Sequence, residues 1–266
     1  MSASVLQRIL ASKRREVEEL RRKISPAEAR RQARRMPAGR DLVSALKNYR
    51  SAPIIAEIKR ASPSAGRLKE SVEVRSLALA YKGGGAAALS VLTDGPFFSG
   101  SLGDLKEARC AVDLPILRKD FIIDASQLYQ SKLAGADAVL LIVAALSPFL
   151  LEELFWETLE LGLSPLIEVH ARKELDRVLT LNPALIGVNN RDLATLAVSL
   201  ATCLELRGLI PPETLVVAES GIASPQDVAR LRAGGIDAFL VGTALMQADD
   251  PGTALRRLCQ AGVGSG

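Results

Sequence analysis

The stretch IIAEIKRASPSAG, residues 54–66, decides how the chain is read. It opens as a buried strand, with Ile54, Ile55 and Ala56 all apolar. Glu57 and Lys59 then follow on either side of Ile58. Side chains at i and i+2 of a strand share a face, so this carboxylate and this ammonium stand together. On an outer face they would be an ordinary surface pair. On an inner face they would be a buried pair, which is unfavourable unless each charge is matched.

Seven more short apolar runs follow: AALSVLT (87–93), PILRK (115–119), ADAVLLIV (136–143), PLIEV (165–169), LIGVN (185–189), TLVVAES (214–220) and DAFLVG (237–242). Helical patterns lie between them, among them SVEVRSLALAYKGG, DASQLYQSKLAGA, SPFLLEELFWETLELG, ARKELDRVLTLN and SPQDVARLRAGGI. Several begin at an Asp or Ser cap and end at Gly. Apolar strands alternating with helices imply parallel βα units, and eight units predict an α/β fold of the (β/α)8 TIM barrel type. An open doubly wound sheet is the competitor. It should carry a Gly-rich phosphate fingerprint after its first strand, and KRASPSAG does not match one.

The barrel accounts for residues 51–266, which leaves 1–50 as an N-terminal helical extension. Val5, Ile9, Val17 and Leu20 recur at helical spacing, and ISPAEARRQARR reads as a second helix with Ser25 as cap and Pro26 at its first position. DLVSALKN adds a further turn or two. Residues 1–50 hold 14 Lys and Arg against 5 Asp and Glu, a net +9, while the remainder holds 20 against 25, a net −5. A solvated helical face explains this excess better than a nucleic-acid arm, because no aromatics interleave with the charges.

The 266 residues contain no apolar run long enough to span a membrane, and the first twenty lack the apolar core of a signal peptide. Cys110, Cys203 and Cys259 are far apart, and there is one His, so Cys-rich and His-rich metal sites are excluded. The expectation is a cytoplasmic monomer with reduced thiols.

Five of the eight runs end in polar groups: Glu57 with Lys59, Lys119, Glu168, Asn189, and Glu219 with Ser220. Strand C-termini form the active face of a (β/α)8 barrel. Leu117, Leu166, Gly187 and Val217, two residues before the later ones, suit a barrel interior. Glu57 and Lys59 are therefore placed inward, at the top. Gly221 in ESGI and Gly242–Thr243 in VGTALM fall after strands 7 and 8, where backbone N–H groups at a helix start would bind a phosphate, with Ser62 adding a hydroxyl. His170 is read as a rim residue beyond the strand end, and Trp156 as helix–barrel packing. With one His on the rim, the chemistry falls to Lys and Glu.

These stretches together resemble indole-3-glycerol phosphate synthase: IIAEIKRASPSAG, SVLTDGPFFSGSLGDL, PILRKDFIID, ADAVLLIVAAL, PLIEVH, IGVNNRDL, VAESGI and FLVGTALM. LQRILASKRREVEEL resembles the family's extra helix, which helps cover the active face. Thr243 stands where the family often has Ser, and His170 falls at a variable position. The resemblance implies a lyase of tryptophan biosynthesis. It would close the ring of 1-(2-carboxyphenylamino)-1-deoxyribulose 5-phosphate with loss of carbon dioxide and water, giving indole-3-glycerol phosphate without metal or redox cofactor. The roles expected are Lys119 as the acid at the ketone, Lys59 and Glu168 as the acid and base of the dehydration, and Asn189, Glu57 and Glu219 as orienting groups. Arg191 would meet the substrate carboxylate or brace the rim, and Phe98, Phe121, Leu140 and Leu193 would line the aryl pocket. Three rivals remain: an aldolase-like barrel with Lys119 or Lys59 as Schiff-base nucleophile, a related barrel isomerase, and a basic nucleic-acid module. The first strand offers the isomerase Glu and Lys where Cys and Asp are expected, and the basic module leaves the polar strand ends unexplained.

Overall fold

The computed structural model describes residues 4–63, 66–69, 72–192 and 195–261. Beside a short antiparallel pair, Ala61–Ser62 with Gly66–Arg67, it has eight barrel strands: β1 (Ile54–Ile58), β2 (Ala88–Leu92), β3 (Ile116–Lys119), β4 (Ala138–Ile142), β5 (Ser164–Val169), β6 (Leu185–Asn189), β7 (Leu215–Glu219) and β8 (Ala238–Val241). All are parallel and hydrogen-bonded in sequence order, and β1 pairs with both β2 and β8, so the sheet closes into a barrel. Each strand falls within a residue or two of the run that predicted it.

Two apolar clusters divide the molecule. The outer one holds Ile54, Ala56 and Ile58 together with the inner faces of the surrounding helices. The inner one holds Ile55, Leu117, Leu140, Leu166, Val217 and Leu240. Glu57 and Lys59 share the parity of Ile55, so they point into the barrel.

The extension runs from the top of the barrel to the bottom. Helix α1 (Val5–Lys23) begins at a capping box between Ser4 and Gln7. Val5, Leu6 and Ile9 of this helix reach the mouth of the barrel. Helix α2 (Pro26–Arg35), capped by Ser25, lies along the helix Ala125–Ala134. Its Arg30 forms a two-pronged pair with Glu157, at 2.8 and 2.6 Å. Helix α3 (Leu42–Lys47) buries Leu42 and Leu46 in the inner cluster, against Ala88, Ala138 and Ala238 at the strand starts. It therefore closes the lower mouth, a function its sequence does not advertise.

Trp156 departs from expectation. It is half-exposed, and Phe155 beside it takes the buried position. A helix shows only one stripe to the barrel, and here that stripe carries Leu151, Leu154, Phe155 and Thr158. No helix among the described residues is long and apolar enough to cross a membrane.

Candidate active site

An open pocket occupies the C-terminal face of the barrel, with an empty volume of about 1210 Å³ including its solvent mouth. Glu57, Lys59, Lys119, Glu168, Asn189, Glu219 and Ser220 all line it. So do Ser62, Arg191, Gly221, Gly242 and Thr243 around the rim, and Phe98, Phe121 and Leu140 on one wall. Leu193 lies outside the described residues.

Lys119 is the centre. Its ammonium donates to Glu168 Oε2 at 2.8 Å and also to Glu219 Oε2. Burial alone would make it easier to deprotonate, but the carboxylates of Glu168, Glu219 and Glu57 hold it well above the ordinary lysine range. Lys59 sits beside its own strand-mate, with Nζ 2.8 Å from Glu57 Oε1. Two glycines make room for these side chains. A Cβ on Gly187 would strike Glu219 Oε1, and one on Gly242 would strike Glu57 Oε1. The barrel can gather carboxylates here because Gly187 in β6 and Gly242 just past β8 carry no side chain.

The two carboxylates on Lys119 differ. Burial pushes Glu219 up to about 8, with Glu168 adding to the effect and Lys119 opposing it. Burial acts the same way on Glu168, but Lys119 and His170 overcome it and hold that carboxyl well below the usual range. His170 lies beyond the end of β5, as the rim reading has it, but it is not turned to solvent. Its side chain is one-tenth exposed and turns back, with Nε2 3.2 Å from Glu168 Oε1 and Nδ1 3.3 Å from Glu174 Oε2. Burial disfavours its charge, yet the two carboxylates raise it to about 10.

The loops above carry the remaining groups. Asn189 Oδ1 accepts from the backbone N–H of Arg191 at 3.0 Å, and Arg191 Nη1 donates to Leu196 O at 3.0 Å. Of the two roles expected for Arg191, these contacts support bracing the rim. Ser220 and Gly221 both have positive φ, 66° and 81°, which bends the chain over the barrel end. Asn190 secures that bend, donating to Ser220 O at 3.1 Å and accepting from Cys203 N at 3.1 Å. Gly242 caps a helix of only five residues, Thr243–Gln247. The first N–H groups of so short a helix have no carbonyl partner within it.

Helix α1 is tied into this face by a charge that sequence reasoning passed over as part of a solvated stripe. Lys13 is 1% exposed. Its Nζ lies 2.8 Å from Asp120 Oδ1, 2.9 Å from Asp94 Oδ2 and 2.8 Å from Glu16 Oε2. Asp94 caps the short helix Gly95–Phe98, accepting from Phe97 N at 2.8 Å. Asp120 accepts from Phe121 N at 2.8 Å. Phe98 and Phe121 pack with ring centroids 6.1 Å apart. One lysine of α1 thus holds both loops that present the aromatic wall. Burial would raise the Asp120 carboxyl, but the Arg118 and Lys13 cations bring it down to about 2.

The family model described as indole-3-glycerol phosphate synthase matches residues 6–258. The chain belongs to the indole-3-glycerol phosphate synthase family. The synthase of Burkholderia ambifaria is 47% identical over 259 residues, covering 96% of this chain and 99% of that protein. The synthase of Polaromonas naphthalenivorans is also 47% identical, over 260 residues and 98% of its own length. Among solved structures, thiamine phosphate pyrophosphorylase from Pyrococcus furiosus superposes with a TM-score of 0.58 over 82% of this chain and 96% of that one. At 19% identity that likeness concerns the barrel alone.

Proposed function

We propose that the chain acts as an indole-3-glycerol phosphate synthase, with 1-(2-carboxyphenylamino)-1-deoxyribulose 5-phosphate as substrate. The observation that carries this reading is Lys119 held between two carboxylates, in a pocket that the Phe98–Phe121 wall also lines. The aryl ring lies against that wall, and its carboxyl-bearing carbon attacks the ketone. Lys119 donates a proton to the carbonyl oxygen as negative charge develops there. The carboxylates keep Lys119 charged and fixed in place, so it meets the developing alkoxide as a preorganised cationic donor.

The carboxylate then leaves as carbon dioxide, and its bonding electrons restore the ring. The new hydroxyl departs as water, with Lys59 as its acid and Glu168 taking the ring-side proton. Glu57 orients Lys59 through their 2.8 Å contact. Glu219 and Asn189 orient Lys119 and the sugar hydroxyls. The phosphate rests on backbone N–H groups near Gly221, Gly242 and Thr243, with Ser62 nearby. Residues 1–50 act as an extension that covers the active face and closes the lower mouth. The barrel lies in 51–266.

The aldolase-like alternative is disfavoured on the same ground. A Schiff-base lysine must be neutral to attack, and the carboxylates around Lys119 keep it charged. The test is direct. The purified protein is mixed with the carboxyphenylamino ketose phosphate, and indole fluorescence is followed. Steady formation of an indole product is expected. No fluorescence, or borohydride trapping of the substrate on Lys119, would overturn the assignment.

A further inference from the structure

We infer that His170 is a positioning residue that holds Glu168 as the ionised, proton-accepting partner of Lys119 and leaves Glu219 as the proton holder. Two carboxylates on one ammonium are chemically equivalent until something distinguishes them. Here the surroundings of their outer oxygens do so. Glu168 Oε2 takes Lys119 at 2.8 Å, and Glu168 Oε1 faces His170 Nε2 at 3.2 Å. The second contact is an ion pair rather than an aligned hydrogen bond. Glu219 Oε2 also takes Lys119, but its Oε1 has no hydrogen-bond partner among the described residues. That oxygen lies over Gly187, in a space it shares with Leu166 Cδ1. A buried oxygen against carbon favours the neutral acid, whereas one between two cations favours the anion.

His170 is itself fixed. It stands two residues after Glu168 and keeps the same parity. Glu174 Oε2 accepts from its backbone N–H at 2.7 Å and lies 3.3 Å from Nδ1. Glu174 belongs to the first turn of the helix Arg172–Val178, so the clamp is anchored outside the pocket. The charged groups around Glu168 are then Lys119 from β3, Glu219 from β7, the Glu57–Lys59 pair from β1, and His170 with Glu174 after β5. Among them His170 is the one cation that touches Glu168 without also touching Glu219.

The inference rests on the functional reading above, in which Glu168 takes the ring-side proton. The chain has a single histidine, so imidazole NMR signals belong to His170 alone. In the unmutated protein the imidazolium should persist above about pH 8. A ring that titrates near the ordinary value of about 6.5 overturns the inference. The second measurement is the pH profile of kcat for His170→Gln, which keeps a hydrogen-bond donor but removes the charge. Loss of a cation beside a carboxylate should move the acid limb upward by about 1–3 pH units. KM should change little. Glu174→Gln should move the limb the same way by less. An unmoved limb with a lowered unfolding temperature would make His170 merely structural. If the parent itself forms no indole product, the functional reading falls. If the parent turns over and the limb stays in place, only the assignment of His170 falls.

Discussion

Replacing Lys13 with Met removes a buried cation while nearly keeping the volume. The three carboxylates it serves are affected unequally. Glu16 is half-exposed and can turn to water. Asp120 keeps Arg118 Nη2 at 2.9 Å, the Thr93 hydroxyl and the N–H of Phe121. Asp94, fully buried, keeps only its cap bond from Phe97 on Oδ1, and its Oδ2 is left bare. Removing one partner of a buried pair costs about 3–5 kcal/mol. With Asp120 largely compensated, the lower end applies. At about 2–4 °C per kcal/mol for a domain of this size, Tm should fall by about 6–12 °C in a calorimetric scan near neutral pH. Adding Asp94→Asn should recover part of the loss, since the bare charge is then gone. The pH dependence has a definite sign. Asp120 is held at about 2, below the unfolded value of about 3.9, so its contribution is present above pH 4 and fades as pH falls toward 2. Lys13 is held above the ordinary lysine range, so its contribution is present below about pH 10 and fades as pH rises beyond it. The gap between parent and Lys13→Met should therefore close in acid. A fall of less than about 2 °C, or a gap independent of pH, would refute a paired Lys13 as the seat of α1.

Lys119→Met should lower kcat by about 10²–10⁴-fold with the fold intact, and activity within tenfold of the parent would reject it as the acid. Glu168→Gln should lower kcat far more than it raises KM; the reverse pattern would make Glu168 a binding residue. KM should rise as pH climbs through about 8, because Glu219 then ionises beside an anionic substrate, and a flat KM from pH 7 to pH 9 would contradict this. Thr243→Asp probes the phosphate cradle better than any change at Gly242, where a side chain would collide with Glu57; unaltered substrate binding would place the phosphate elsewhere. Deleting residues 1–24 should raise KM and spare the barrel, whereas deletion through residue 47 also removes Leu42 and Leu46 from the lower mouth and should impair folding itself, so equal stability of the two truncations would count against α3 as a plug.

The strands are legible because each is a short apolar run, and five of the eight end in polar residues at the same side of the barrel. That repetition alone places Glu57, Lys59, Lys119, Glu168, Asn189 and Glu219 at one end of the barrel, where the structure gathers them in one pocket. Partners across the sheet were not legible. Nothing near residue 13 announces Asp94 and Asp120, because the pairing depends on where α1 crosses the barrel mouth. Lys13 in KRREVEEL looks like one more surface charge. The contacts of His170 are hidden for a related reason. Its parity follows from the sequence, but Glu174, which accepts from the His170 backbone N–H and faces its Nδ1, comes into reach only once the helix Arg172–Val178 has a start. The outward position of Trp156 likewise depends on which helical stripe meets the barrel.

The arrangement around Lys119 bears on how an anion enters at all. The proposed substrate brings a carboxylate and a phosphate into a pocket that already holds Glu57, Glu168 and Glu219. Glu57 is answered by Lys59 at 2.8 Å. His170 is matched by Glu174, so with Glu168 and Glu219 both ionised the trio of Lys119, Glu168 and Glu219 would carry a net negative charge and repel the ligand. A proton on Glu219 makes the trio neutral. The same proton leaves Glu168 as the one charged carboxylate on Lys119, so one protonation event serves both binding and the choice of base. Gly187 permits it, because the bare strand position lets Glu219 Oε1 lie against carbon instead of water. The acid–base asymmetry of this pocket is therefore a property of barrel packing as much as of its titratable residues.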